Sequence, residues 1–311
     1  MKTYFGTENL DSAYPAKTVI AIGNFDGVHL GHQEILKRAT ALAESLGCAM
    51  VCFTFNPHPT QELRPEIPLR LLMTYDEKRR NLQNYQVAFC VEERFDSRFA
   101  EISAEDFFKK ILKERLHAVG VVVGQDFAFG KKRSGTIETL RNFCKETNTA
   151  LEVVAPILVD GEIVSSSRIR NALAEGKVEL ANKLLGRPFS YSGEVVHGDK
   201  RGRTIGFPTA NMKCEEKFPV KPGVYATSVF WRGQEYPSVT NIGTRPTFNV
   251  AGLKMETHIL DQTFELYGEI LEIRFRAAIR DEKKFSSIDE LKAQIQADTI
   301  LAKKLLSTRN F

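Results

Sequence analysis

The sequence predicts two domains of different class: an N-terminal α/β domain on a doubly wound parallel sheet, and a C-terminal antiparallel β-barrel or sandwich with a terminal helix. Three observations predict this. The first half alternates apolar runs with amphipathic stretches, the pattern of strands joined by helical crossovers. Beyond about residue 186 the runs become short and close, separated by Gly, Pro and Asn turns without helical patterns between them. At 311 residues the chain is long enough for two cores. We therefore expect domains at residues 1–186 and 187–311.

Residues 18–22 form a buried strand run, and residues 33–46 place Ile35, Leu36, Ala39, Leu42, Ala43 and Leu46 on one helical stripe that Gly47 ends. Further strands are expected at 50–55, 87–91, 119–123 and 151–156. Between them, Thr74-x-x-Glu77 is a capping box that opens a helix, and a third helix starts near Ser103 with acidic residues in its first turn. Strands spaced this way pair in parallel through right-handed crossovers, and ligands bind beyond their carboxyl ends. Residues 179–185 finish a helix that Gly186 caps and Arg187-Pro188 stops. Barrel strands are expected at 191–196, 224–231, 238–242, 256–260 and 270–277. The last helix opens at the capping box Ser287-x-x-Glu290, with Ile288, Leu291, Ile295, Ala302 and Leu305 as its packing stripe.

Hydrophobic residues at 42% and charged residues at 26% are ordinary for a soluble globular protein. The net charge of +4 is mild, and no basic tail or stripe suited to nucleic acid is present in the sequence. The first residues lack the apolar core of a signal peptide, and no apolar run reaches membrane-spanning length. The five cysteines, odd in number and mostly in apolar segments, read as free thiols in a reducing compartment. The expectation is a cytoplasmic protein acting on small molecules, with no nucleic acid, membrane or obligate protein partner.

The stretch Gly23-Asn24-Phe25-Asp26-Gly27-Val28-His29-Leu30-Gly31-His32 joins the 18–22 strand to the first helix. Backbone N–H groups and the helix dipole favour an anion there, and Gly31 has no Cβ to keep a phosphate from the backbone. A zinc site is disfavoured, since His-x-x-His has no Cys cluster beside it and His-Glu-x-x-His is absent. The string resembles the His-x-Gly-His signature of the nucleotidyltransferase superfamily. In its longer Gly-x-Phe-Asp-Gly-x-His-x-Gly-His form it is similar to the FMN adenylyltransferase module of bacterial FAD synthetases. The resemblance implies a Rossmann-like domain that transfers an adenylyl group from ATP to FMN. It implies that His29 and His32 act on the ATP phosphates, and that Gly23, Asn24, Phe25, Asp26 and Gly31 lie at the nucleotide. Asn56-Pro57-His58-Pro59 adds His58 at the same sheet edge. Gly124-Gln125-Asp126-Phe127-Ala128-Phe129-Gly130 resembles the family's loop beside flavin and nucleotide, which assigns Asp126 to both and Phe127 to the flavin. That loop is not a Walker A motif, because five residues separate its glycines and Lys132 stands where Ser or Thr is needed. Val164-Ser165-Ser166-Ser167-Arg168-Ile169-Arg170 resembles the Ile-Ser-Ser-Thr-x-x-Arg signature, with Ser167 for the usual Thr. It implies that Ser165, Ser166, Ser167 and Arg170 hold the triphosphate.

The second half carries another signature, running from Gly193 through His197-Gly198-Asp199-Lys200-Arg201-Gly202-Arg203 to Gly206-Phe207-Pro208-Thr209-Ala210-Asn211. A Gly-rich basic loop wraps phosphates through N–H groups and positive charge. The Pro-Thr-Ala-Asn ending resembles riboflavin kinases, which implies that Thr209 and Asn211 bind Mg²⁺ and ATP. Gly198, Lys200, Gly202 and Arg203 then belong to the nucleotide loop. The segment Glu256-Thr257-His258-Ile259-Leu260 carries the glutamate that riboflavin kinases use as general base. Arg280 and Glu282 match the flap near the flavin. Nearly the whole chain thus resembles the bifunctional riboflavin kinase/FMN adenylyltransferase (prokaryotic FAD synthetase) family, with riboflavin, FMN and ATP as substrates, FMN and FAD as products and Mg²⁺ as cofactor. An adenylyltransferase for a pantetheine phosphate would share His-x-Gly-His but needs no Pro-Thr-Ala-Asn barrel. A non-catalytic flavin-binding regulator has no reason to keep His29, His32, Thr209, Asn211 and Glu256.

Overall fold

Alternation within single strands explains the N-terminal architecture. On strand 18–22, Val19 and Ala21 pack with Leu36 and Ala39 on one face, while Ile20 and Ile22 join Phe107, Leu112 and Leu140 on the other. A sheet buried on both faces in this way has to be covered by helices on both sides. The computed structural model describes residues 1–198, 205–214, 218–244 and 253–307. They fall into two units, one of residues 1–69 with 73–165 and one of residues 70–72 with 166–311.

The first unit holds β1 (Lys2–Phe5), β2 (Thr18–Ile22), β3 (Ala49–Phe55), β4 (Phe89–Glu93), β5 (Ala118–Gly124) and β6 (Ala150–Val154). All pair in parallel, in the order β1-β4-β3-β2-β5-β6. Its helices are α1 (Leu30–Ser45), α2 (Pro59–Leu63), α3 (Tyr75–Gln83), α4 (Ser97–Ala100), α5 (Ala104–Asp106) and α6 (Ile137–Glu146), and a small hairpin, β7 (Leu158–Val159) and β8 (Glu162–Ile163), follows. The strand order reverses between β2 and β5, so the loops after Ile22 and Gly124 flank the crevice where such sheets bind ligands. Two features were not expected. β1 adds a parallel edge strand of four residues, too short to stand out as a periodic run. The helix opened by Ser103 widens after Asp106, and Leu116 N donates to Ile111 O, five residues back, at 2.9 Å.

The second unit begins with α7 (Ser166–Ala174) and α8 (Val178–Leu185). Strands β9 (Phe189–Val196), β10 (Ala210–Lys213), β11 (Gly223–Trp231), β12 (Gln234–Thr244), β13 (Leu253–Ile259) and β14 (Ile270–Arg280) close a barrel in the order β10-β13-β12-β11-β14-β9. Every pair is antiparallel. Inside it the buried hydroxyls of Ser238, Thr227, Thr240 and Thr257 join in a row with O···O distances of 2.7–2.9 Å. The terminal helix α9 (Ile288–Ser307) covers Val224, Ala226, Val239 and Ala277 through Ala302, Leu305 and Leu306. Its first residue does not join that stripe, since Ile288 is 63% exposed.

The division of the chain falls at 165/166, ahead of the 186/187 boundary expected from the change of pattern. The physical reason is Asn182 of α8. Its Nδ2 donates to Phe275 O of β14 at 2.8 Å, and its Oδ1 accepts from Phe189 N of β9 at 2.7 Å. Val178, Ala181, Leu184 and Leu185 are buried on the same helix, so α8 is part of the barrel's packing although it belongs to no strand pattern.

Candidate active sites

The histidine turn is built on a strained backbone. Phe25 (φ 50°) and Val28 (φ 40°) are left-handed, and both side chains are buried as anchors beneath the loop. Non-glycine residues held there cost about 1–3 kcal/mol each, and such strain concentrates in ligand-binding loops. His29 is the N-cap of α1, its Nδ1 accepting from His32 N at 3.3 Å. The two imidazoles stack with centroids 3.6 Å apart and planes 17° from parallel, and Phe25 meets His32 edge-on. Gly31 has a further role here: a Cβ would sit 3.2 Å from His29 Cε1 and 3.3 Å from its Nδ1, so the glycine makes room for the ring. Burial, then the neighbouring His29, Lys78 and His58, hold His32 well below the usual histidine range, so it is a neutral imidazole. Its Nδ1 is buried with no partner.

His58 caps α2, with Thr60 N donating to its Nδ1 at 3.2 Å, and its own N–H donates to Tyr75 Oη at 2.8 Å. A lysine not anticipated from sequence lies among these groups. Lys78 of α3 is 4% exposed, and its Nζ donates to Thr54 Oγ1 at 3.0 Å and to Phe55 O at 3.3 Å. Nothing in a polar, capped helix distinguishes it from a solvated charge, and the strands that bury it come from distant sequence. Across the switch point, Asp126 is exposed while Phe127 stacks on Phe129 at 5.4 Å. Asn24 O accepts from Thr54 Oγ1 at 3.1 Å, Asp26 is buried, and Ser165 is half-buried. Ser166, Ser167 and Arg170 lie on α7 in the second unit, where Arg170 Nε donates to Arg70 O at 2.7 Å.

In the barrel unit, register assembles the second signature. Glu256 on β13 stands opposite Asn211 on β10 and opposite Asn241 on β12, so the three share one face of the sheet. Glu256 pairs with Lys254, two residues along the same strand, at 2.8 Å. Thr209 lies just before β10, rather than on a strand with Asn211, and Asn211 Nδ2 donates to its carbonyl at 3.3 Å. Both residues line a cleft with Gly198, Thr257 and Tyr267. Asn211 Oδ1 is buried with no partner, the kind of neutral oxygen that a hard cation takes alongside phosphate and water. No group of three or more His, Cys, Asp or Glu suited to a metal occurs among the described residues, so the donor set fits a cation that keeps outside ligands. Arg280 is held by Asp298 of α9, with N···O distances of 2.8–3.1 Å. Glu282 approaches Gly243, where a Cβ on the glycine would meet its carboxylate at 2.6 Å. Lys200, Gly202 and Arg203 lie outside the described residues.

The histidine turn follows a strand of a parallel sheet, and the polar cleft lies in an antiparallel barrel. A sequence profile for FAD synthetase matches residues 11–168, and one for riboflavin kinase matches residues 185–306. The bifunctional riboflavin kinase/FMN adenylyltransferase of Escherichia coli (strain K12) is 38% identical over 307 residues, 98% of this chain and 97% of that one. The protein of the same description from Bacillus subtilis (strain 168) is 38% identical over 288 residues, 91% of this chain and 90% of that one. The chain belongs to this bifunctional FAD synthetase family. A crystal structure described as a macrolide-efflux protein from Streptococcus pneumoniae has the same fold, with a TM-score of 0.89 and 32% identity over 97% of this chain and 99% of that one. Among the described residues here, no helix is long and apolar enough to cross a membrane.

Proposed function

We infer that the chain makes FAD from riboflavin in two ATP-dependent steps. In the barrel, Glu256 takes the proton of the terminal ribityl hydroxyl as that oxygen attacks the γ-phosphorus of ATP, giving FMN and ADP. Thr209 and Asn211 would hold Mg²⁺, which supplies charge neutralisation to the phosphates when bound. We assign Gly198, Lys200, Gly202 and Arg203 to the nucleotide, and Arg280 and Glu282 to the flavin side. In the N-terminal domain, the FMN phosphate attacks the α-phosphorus of a second ATP, forming the P–O–P bond of FAD as pyrophosphate leaves. His29 and His32 hold the ATP phosphates in line, and Gly23, Asn24, Phe25, Asp26, Gly31 and His58 shape that pocket. Asp126 and Phe127 face the flavin and nucleotide, and Ser165, Ser166, Ser167 and Arg170 take the triphosphate. We read residues 1–186 as the adenylyltransferase and 187–311 as the kinase. The buried free thiols Cys52, Cys90 and Cys144 suit a reducing cytoplasm.

The observation that carries this reading is that each signature encloses a buried polar atom with no hydrogen-bond partner among the described residues, His32 Nδ1 in one and Asn211 Oδ1 in the other. Such atoms cost free energy until a ligand meets them. Incubation with riboflavin, ATP and Mg²⁺, followed by separation of the flavins, tests it: FMN and then FAD are expected. A pantetheine phosphate adenylylated in place of FMN, or flavin bound without turnover, would overturn it.

A further inference from the structure

We propose that Lys78 is a positioning residue for adenylyl transfer, holding the Asn24 end of the histidine turn through Thr54 and bringing a buried charge to the base of that turn. The proposal rests on the reading of the first unit as the FAD-forming domain.

The hydrogen bonds run in one direction. A lysine ammonium only donates, so Thr54 Oγ1 accepts from Lys78 Nζ and spends its single proton on Asn24 O. The relay therefore ends on the backbone of the loop that carries His29. Lys78 also donates to Phe55 O and lies 4.9 Å from the centre of the Tyr75 ring, so β3 and α3 fix its position. Among the described residues no carboxylate comes within 4.0 Å of Nζ. Burial pushes the Lys78 pKa down, and Glu92 on β4, the largest influence that opposes this, is taken up by both contacts of Arg79 Nη1 at 2.9 Å. A buried ammonium without an adjacent anion is expensive. In this place it has a use, since the reaction brings polyphosphate.

The charged and titratable groups around the pair come from every neighbouring element: Asp26 in the turn, His29 at the start of α1, Cys52 on β3, His58 before α2, Tyr75 on α3, and Cys90 and Glu92 on β4. Burial is the first cause that keeps His32 uncharged, with His29 and then Lys78 adding to it. Removing the lysine charge therefore raises the pH at which His32 takes a proton. Protonation of His32 would set a buried charge against the stacked His29 ring, whose centroid is 3.6 Å away, so the productive form has His32 neutral.

The test uses the full chain, supplied FMN and ATP, and kcat/KM for FAD formation across pH, which reports groups of the free enzyme. K78M is expected to lose roughly 10²-fold at neutral pH, the scale of a misplaced reacting geometry, and to move the acid limb to higher pH. K78R keeps the charge and is expected to leave the limb in place. T54V keeps the charge and breaks the relay, so the rate falls while the limb stays. Wild-type rate and limb in folded K78M overturn the proposal. Should K78M fail to give a folded unit by thermal melting, a moved limb in K78R or an unchanged rate in T54V overturns it instead. Absence of FAD formation by the wild type overturns the underlying reading, and is seen before any substitution is compared.

Discussion

Replacing Gly198 with alanine puts one methyl group into the wall of the kinase cleft. A Cβ built there lies 2.5 Å from Asn211 Nδ2 and crowds the amide carbon and Oδ1 as closely, about 1 Å inside the 3.4 Å at which ordinary contact begins. The amide cannot swing freely. Asn211 is buried, its backbone is paired with Val196 and Glu256, and its Nδ2 is bonded to Thr209 O at 3.3 Å. The displacement therefore falls on Oδ1, the atom proposed to face the cation. Displacements of about 1 Å in a reacting constellation lower rates by roughly 10²-fold. G198A is expected to lose FMN formation on that scale and to need more Mg²⁺ for what remains. FAD formation from supplied FMN should continue, because the affected atoms belong to the barrel unit. The assay is flavin separation with each substrate supplied in turn, over a Mg²⁺ series. Normal riboflavin phosphorylation by a folded G198A would refute the placing of Asn211 at the reacting phosphates.

The two chemistries should separate by substitution. H29A is expected to cut FAD formation by roughly 10²–10³-fold with FMN accumulating, and loss of its cap on α1 should lower stability by only about 1 kcal/mol. E256Q should cut FMN formation by roughly 10²–10⁴-fold and spare FAD formation, with little change in melting temperature because the Lys254 pair is partly solvated. A fragment of residues 166–311 is expected to fold and phosphorylate riboflavin. One beginning at 187 loses Asn182 and leaves Phe275 O and Phe189 N without their partners, so its urea midpoint should fall, with about 1–3 kcal/mol lost at each group.

What was legible in the sequence was local. The run at 18–22, the glycines and histidines of the turn, the capping box at Thr74 and the Ser287 cap each act within a few residues and appear near their expected place, although the Glu290 carboxylate accepts from Ser286 rather than from Ser287 N. Strand spacing and turn residues made an antiparallel barrel or sandwich legible, and the resemblance carried by Pro-Thr-Ala-Asn chose the barrel that the strand order closes. What was not legible depends on partners distant in sequence. Lys78 becomes a buried residue only when β3 and β4 close over α3. Arg280 fits a flavin-side role by motif, but its guanidinium meets Asp298 on a helix 18 residues later. α8 reads as the end of the first domain because its pattern is helical, yet its one internal amide, Asn182, joins β9 and β14.

The two signature glycines show why a motif survives reading without its mechanism being read correctly. Sequence alone assigns Gly31 to close approach of a phosphate, and Gly198 to a loop that wraps one. In the structure both clear space for the protein's own working group: Gly31 for the His29 ring, Gly198 for the Asn211 amide. In each case the admitted side chain stands beside or carries a buried atom with no partner, His32 Nδ1 under the stacked ring of His29 and Asn211 Oδ1 itself. A protein folding for stability alone would fill both spaces with a methyl group and move the polar atom to a donor or to water. Keeping the space and leaving the atom unmet makes sense when the missing partner arrives with the substrate. The glycines are then best understood as holding a preorganised polar group in its reacting position, before any phosphate is there to approach.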